Sequence, residues 1–215
     1  MHAQQIVNTV TVFGLALLVL VSTSAVAVKG DDKSPDGLVQ TVTDEILNAL
    51  RNDRETIRKH PQQLISLMER IIVPHIDIQF MGREVLGKYW KRASEEQRAR
   101  FLAAFRQMLI DDYAAVFRHY SNESVELLPM HAGARKDNTL VSAIVNKPGG
   151  QRVRVDYRLH RDKAGWRIYD VEVDGISLLL NFRNTFSDQL QRGTLDALIA
   201  SIENKNTSFH LKAGK

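Results

Sequence analysis

The period of the apolar residues changes at Ser121 and changes back after the strands that follow, and those changes limit the folds open to this chain. Up to Ser121 apolar side chains recur every three or four residues, as on one face of a helix; beyond it they alternate. The clearest alternation runs from Gln151 to His160, where Val153, Val155, Tyr157 and Leu159 interleave with Arg152, Arg154, Asp156 and Arg158. Such a strand has one apolar and one charged face, so its sheet is antiparallel and covered on one side only. Val125 to Met130, Leu140 to Asn146 and Gly165 to Val173 read as three more strands, with Lys147-Pro148-Gly149-Gly150 and Asp162-Lys163-Ala164-Gly165 as hairpin turns. The last strand slips phase: Trp166 and Ile168 share one parity, Val171 and Val173 the other. A bulge near Tyr169-Asp170 returns them to one face and bends the sheet. A bent sheet wrapped over a helix makes a concave apolar cavity.

Helices flank this sheet on both sides in sequence. Ser34-Pro35 forms an N-cap and first turn, followed by the stripe Leu38, Val42, Ile46 and Leu50, which Asn52-Asp53 breaks. A short polar helix to His60 follows. Pro61 opens the next, with Leu64, Ile65, Met68, Ile71 and Ile72 on one side and Pro74 as its stop. Asp77 caps a short helix that Gly87 ends. Ser94-Glu95-Glu96-Gln97 has the form of a capping box and predicts a long helix to about Tyr120, whose stripe includes Phe101, Phe105, Leu109, Tyr113 and Phe117. After the strands, Ser177 caps a helix from Leu178 to Gln191, Gly193 ends it, and a final helix covers Thr194 to Ile202. The polar residues 203–215 read as a frayed tail.

Composition agrees with one folded domain: 215 residues, 44% hydrophobic and 25% charged. With no cysteine, disulfides, thiolate metal sites and lipidation at an N-terminal cysteine are excluded. Residues 1–27 carry no Asp, Glu, Lys or Arg, and Val10 to Val21 is an apolar run too short for a comfortable transmembrane helix. Ala25-Val26-Ala27 fits the small-x-small cleavage rule, so the expected division is a signal peptide (1–27), a flexible leader (28–34), a binding domain (35–202) and the polar tail (203–215). An uncleaved membrane anchor is the alternative. Export would place the protein outside the cytoplasm. A net charge of +4 suits an anionic partner, a phospholipid surface or nucleic acid, of which export favours the first and no nucleic acid is expected; plain solubility explains the charge equally well.

The chain offers little for catalysis. No two histidines have the helical spacing of a zinc protease motif, and neither a G-x-S-x-G elbow nor a phosphate-binding glycine loop occurs. No catalytic residue, metal ligand or cofactor is assigned. Ser177 sits at a strand-to-helix turn and reads better as an N-cap than as a nucleophile. Asp77, Asp111, Asp112, Asp156 and Asp170 lie near apolar segments, and a buried carboxylate beside Tyr113 would make an acid–base pair. Caps and outward-facing charge explain them more simply. Three readings stay open from the residues alone: a ligand cavity, a cone-shaped acid–base enzyme of the steroid-isomerase type, and a filled core without a ligand.

Three blocks carry a resemblance. They are Pro74-His75-Ile76-Asp77 with Met81 and Leu86-Gly87-Lys88-Tyr89-Trp90; Ser94-Glu95-Glu96-Gln97 with Phe101, Phe105, Leu109 and Tyr113; and Trp166-Arg167-Ile168-Tyr169-Asp170-Val171 with Gly175-Ile176-Ser177, Asn181-Phe182-Arg183, Phe186 and Gly193. In order and spacing they resemble the MlaC family, the toluene-tolerance auxiliary proteins, over about residues 35–200. The departures are Ser94 and Asp112, where the family often has threonine.

The resemblance implies an α+β fold, helices around a bent, mainly four-stranded antiparallel sheet, cone-shaped and NTF2-like, enclosing an apolar cavity. It implies a periplasmic phospholipid carrier that serves outer-membrane lipid asymmetry, with phospholipid as cargo and no cofactor. The implied partners are an outer-membrane lipoprotein–porin complex and an inner-membrane ABC transporter with an MCE-domain subunit. On that footing the expected lipid-binding residues are Val155, Tyr157, Ile168, Val171 and Val173 of the sheet and Phe105, Leu109 and Tyr113 of the long helix. Met81, Ile176, Leu179 and Phe182 are the expected flanks.

Overall fold

Ser34 begins the folded part as the sequence predicts. Its hydroxyl accepts from the Gly37 amide at 3.1 Å, and Pro35 occupies the first turn of helix α1 (Pro35–Asn52). The computed structural model describes residues 34–60, 62–130 and 137–213. The expected signal peptide and all of the leader but Ser34 lie outside them, as does Pro61. Helix α1 buries Leu38, Val42, Ile46 and Leu50. After α2 (Arg54–Lys59), helix α3 (Gln62–Leu67) runs into one π turn, Met68–Ile72, and a 3₁₀ turn, Val73–His75. The Val73 amide donates to the Met68 carbonyl, five residues back. Pro74 has no amide to continue the ladder, which accounts for the helix ending here.

Asp77 caps α4 (Ile78–Leu86), its Oδ1 accepting from the Phe80 amide at 2.7 Å. Its Oδ2 lies 2.9 Å from His160 Nε2, which ties the helix start to the sheet. Helix α5 (Lys88–Arg92) follows Gly87. The capping box then opens α6 (Glu95–Phe117): Ser94 and Gln97 satisfy each other's amides, both at 3.1 Å.

The sheet is an open antiparallel meander of five strands in sequence order: β1 (Ser124–Leu127), β2 (Asn138–Asn146), β3 (Arg152–Asp162), β4 (Gly165–Val173) and β5 (Ile176–Ser177). Register places Val141, Tyr157 and Val171 in one row across three strands, and Ala143, Val155 and Val173 in the next. The bulge lies where the phase slip puts it. Arg158 pairs with Asp170 and Leu159 with Ile168, so Tyr169 is the extra residue, and Ile168 and Val171 share the apolar face. The edge of β4 is covered in two pieces. Asp77 donates to the Ile168 carbonyl at 2.9 Å and Arg167 reaches the Pro74 carbonyl, while β5 covers the other end.

To the mainly four-stranded sheet expected from the sequence, β5 adds a two-residue edge strand. Asp174-Gly175 is a two-residue hairpin turn, both residues with positive φ (46° and 83°), and it turns the chain back beside β4. The Asp174 carboxylate accepts from the Arg154 amide at 3.0 Å, and its own amide donates to the Arg154 carbonyl.

Ser177 caps α7 (Leu178–Arg192) through the Leu180 amide at 3.0 Å, the role expected of it. The last helix, α8, runs Leu195–Ala213, well past the expected Ile202. The polar residues after 203 are helical because α6 lies alongside: Asn206 donates to the Ala104 carbonyl at 3.0 Å and Lys205 pairs with Asp112 at 2.7 Å.

Candidate functional site

Helix α6 faces two different environments. Around its first half, α4, α7 and α8 close on it and bury Phe101, Phe105, Phe186, Leu190 and Ile199. Around its second half the neighbours are α1, the π turn and the bent sheet, and between them lies an apolar pocket of about 220 Å³. Helix α1 contributes Val39, Val42 and Ile46; the π turn contributes Met68 and Ile72, and the 3₁₀ turn after it contributes Val73. The π turn has a use here, because its extra residue per turn presents Met68, Ile72 and Val73 to one cavity. The sheet contributes its apolar row from Val153 to Val173, and α6 contributes Leu109, Ile110, Tyr113, Val116 and Phe117.

Eight of the twelve residues singled out from the sequence line this pocket: Met81, Leu109, Tyr113, Val155, Tyr157, Ile168, Val171 and Val173. Four do not. Phe105 has no exposed surface; its ring stacks on Phe101 at 5.5 Å and meets Phe182 edge-on at 5.5 Å, inside the packed half. Phe182 belongs to that aromatic cluster for the same reason, and Leu179 packs against it. Ile176 lies on the edge strand β5, 49% exposed. The leucine run splits by helical geometry: successive residues turn by about 100°. Leu178 lines the pocket, Leu179 faces the packed half, and Leu180 is 54% exposed. Sequence reasoning missed the α1 wall, although its four-residue apolar stripe was visible; periodicity marks a buried face but not what it faces.

Polar groups at the pocket are few. Arg106 stands at the rim, its side chain 37% exposed, with Nη1 and Nη2 both donating to Glu69 Oε1 at 3.2 Å. Asp170 also touches the pocket, but its oxygens are committed: Oδ2 accepts from the Ser177 hydroxyl at 2.6 Å and Oδ1 from the Leu179 amide at 2.9 Å. It holds the start of α7 against β4. Four tyrosines, Tyr113, Tyr120, Tyr157 and Tyr169, complete the lining. Burial pushes the Tyr157 phenol up to about 12. Burial raises Tyr113 further, and the negative charges of Asp112 and Asp170 add to it. Tyr120 is raised by burial too, with Arg51 acting against the shift.

The remaining carboxylates serve structure. Asp156 stands on the charged face of β3, only 8% exposed, with Arg154 Nε donating to it at 2.9 Å. Asp112 pairs with Lys205. Among the described residues no cluster of three or more His, Asp or Glu is placed to hold a metal ion. Among them, too, no helix is long and apolar enough to cross a membrane.

Helices over one face of a bent antiparallel sheet, with an apolar pocket between them and its one carboxylate committed to the fold, define a binding protein for apolar ligands. The chain belongs to the MlaC protein family, whose model matches residues 40–204. Among its relatives is the intermembrane phospholipid transport system binding protein MlaC of Haemophilus influenzae, 25% identical over 189 residues, 86% of each chain. The toluene tolerance protein ttg2D of Pseudomonas putida is 28% identical over 165 residues, 76% of each. Among solved structures, the phospholipid-binding protein of Ralstonia solanacearum, in complex with a phospholipid, superposes with a TM-score of 0.73 at 28% identity, covering 81% of this chain and 98% of that one.

Proposed function

We propose that this protein is a non-enzymatic phospholipid carrier of the periplasm, moving lipid between the outer and inner membranes, with the acyl tails in the pocket between α6 and the sheet. The observation that carries this reading is the apolar pocket itself, in a chain of the MlaC family whose fold matches a phospholipid-bound structure. Burial is worth about 0.8 kcal/mol per CH₂, so a 16-carbon tail gains on the order of 12 kcal/mol on leaving water. A carrier crossing an aqueous space must enclose the tails. The charged head group is costly to bury and stays at the rim, near Arg106. The twelve residues expected from the sequence become, in this proposal, eight that touch the tails, three (Phe105, Leu179 and Phe182) that pack behind the wall, and Ile176, which stays exposed on the edge strand. The partners that fit are the outer-membrane lipoprotein–porin complex and the inner-membrane ABC transporter with its MCE-domain subunit.

Mass spectrometry of ligand extracted from natively purified protein tests the reading. The expected result is diacyl phospholipid with both ester bonds intact. Protein purified with no lipid, or with hydrolysed lipid only, counts against it, the second outcome in favour of an enzyme.

A further inference from the structure

The pocket is apolar in its walls but not in all of its atoms. The Tyr120 hydroxyl is fully buried and has no hydrogen-bond partner. Tyr113 and Tyr157 line the same pocket, and neither side chain makes a hydrogen bond among the described residues. The Tyr120 hydroxyl is sealed by protein from the space of the pocket. A hydroxyl at an apolar wall is costly to leave without a partner. Tyr113 and Tyr157 present two such groups from different walls, Tyr113 from α6 and Tyr157 from the middle of β3, between Val141 and Val171. A water molecule serves such a group only where further polar atoms hold it, and the surrounding walls are mainly aliphatic.

A hydrocarbon cargo would leave both donors unmet. A diacyl phospholipid would not, because directly below its phosphate it carries two ester carbonyls, each with two lone pairs. The order of groups on α6 matches. Arg106, at the rim, and Tyr113 are seven residues apart, two turns along one face and about 10 Å along the axis. Charge comes first, then hydroxyl, with aliphatic wall around both.

Resting on the phospholipid reading above, we propose that the hydroxyls of Tyr113 and Tyr157 donate hydrogen bonds to the ester carbonyl oxygens of the bound lipid. The pocket then selects ester-linked chains over ether-linked chains of the same length and head group. The high phenol pKa values fit this role, since the donors stay protonated throughout the physiological range.

The test is a competition. Purified protein is exchanged against vesicles holding equal amounts of dipalmitoyl phosphatidylglycerol and its di-O-hexadecyl ether analogue, and the bound lipid is counted by mass spectrometry. The parent should take the diester about 10-fold in preference, the size expected of one or two net hydrogen bonds. In the double variant Tyr113→Phe, Tyr157→Phe the preference should fall to near unity. The lipid-free variant should be no less stable than the lipid-free parent, because no protein partner is lost. If the double variant does not fold, the single Tyr113→Phe change should still lower the preference. Equal loading of both lipids by the parent, or a preference that survives the substitutions, overturns this proposal alone. Loading of neither lipid overturns the carrier reading and this proposal with it.

Discussion

The two halves of α6 use the same kind of residue for opposite ends. In the first half, Phe101 and Phe105 lie within 5.5–6.1 Å, centroid to centroid, of each other and of Phe182 or Phe186. In the second half, Tyr113 and Phe117 continue the aromatic stripe but line a cavity. The cause is the neighbours. Helices follow one another closely at 8–10 Å and interlock along their length. A sheet bent by a bulge curves away from a straight helix and leaves space that side chains from α1 and the π turn narrow but do not fill. An aromatic stripe therefore says that a face is buried, not whether by protein or by ligand.

The largest effect should come from the packed half. Phe105→Ala removes a ring held on three sides and should cost about 3–5 kcal/mol. Lipid carried per folded molecule should hold near the parent value, since Phe105 does not line the pocket. Urea denaturation of the lipid-free protein, paired with lipid counting on the folded fraction, reads both. A loss of lipid at unchanged stability would mean that the two halves are not distinct.

A second comparison places one substitution at two neighbouring points. Val141 and Val171 flank Tyr157 in a single row of the sheet, but Val141 has no exposed surface and is sealed in protein, while Val171 lines the pocket. Val141→Trp should overpack and cost about 1–3 kcal/mol or more. Val171→Trp should fold, with stability near that of the lipid-free parent, and carry less lipid because its indole takes space otherwise open to tail carbons. Lipid-free parent is the reference because bound ligand itself stabilises the native state. Equal destabilisation at both positions would misplace this wall of the pocket.

Much of the fold is legible where a rule acts locally. The alternation in β3, the slip at Tyr169, and the caps at Ser34, Asp77, Ser94 and Ser177 depend on neighbours within a few residues, and the structure shows each of them. Strand β5 was also signalled, by Asp174-Gly175, but two residues are too few to show a period. The π turn has no local signature beyond the proline that follows it. The extension of α8 depends on Asn206 and Lys205 meeting α6, contacts about a hundred residues apart in sequence. The site divides in the same way. The sheet wall follows from parity, so all five of its expected residues line the pocket. The helical wall depends on which neighbour approaches, so Phe105 was placed about one turn too far toward the N-terminus of α6, where the apolar lining starts at Leu109, and the α1 wall went unassigned.

The smallest effect belongs to the face of the sheet that the pocket does not use. Burial alone would push the Asp156 carboxyl up, but hydrogen bonds from Arg154 and Ser142 and the charges of Arg154 and Arg158 hold it below the usual carboxylate range. The unfolded chain, with an aspartate near 3.9, then takes up the proton more readily than the folded one. Stability from this carboxylate is accordingly complete above about pH 5 and is lost as the pH falls through the unfolded and then the folded value. In Asp156→Asn that source of acid sensitivity is gone, so the drop in urea midpoint between pH 7 and pH 3 should be smaller than in the parent. Because Arg154 is half exposed, the difference should be modest. Lipid content should not change, since Asp156 points away from the pocket face; loss of lipid from a folded Asp156→Asn protein would show that this charged face holds cargo after all.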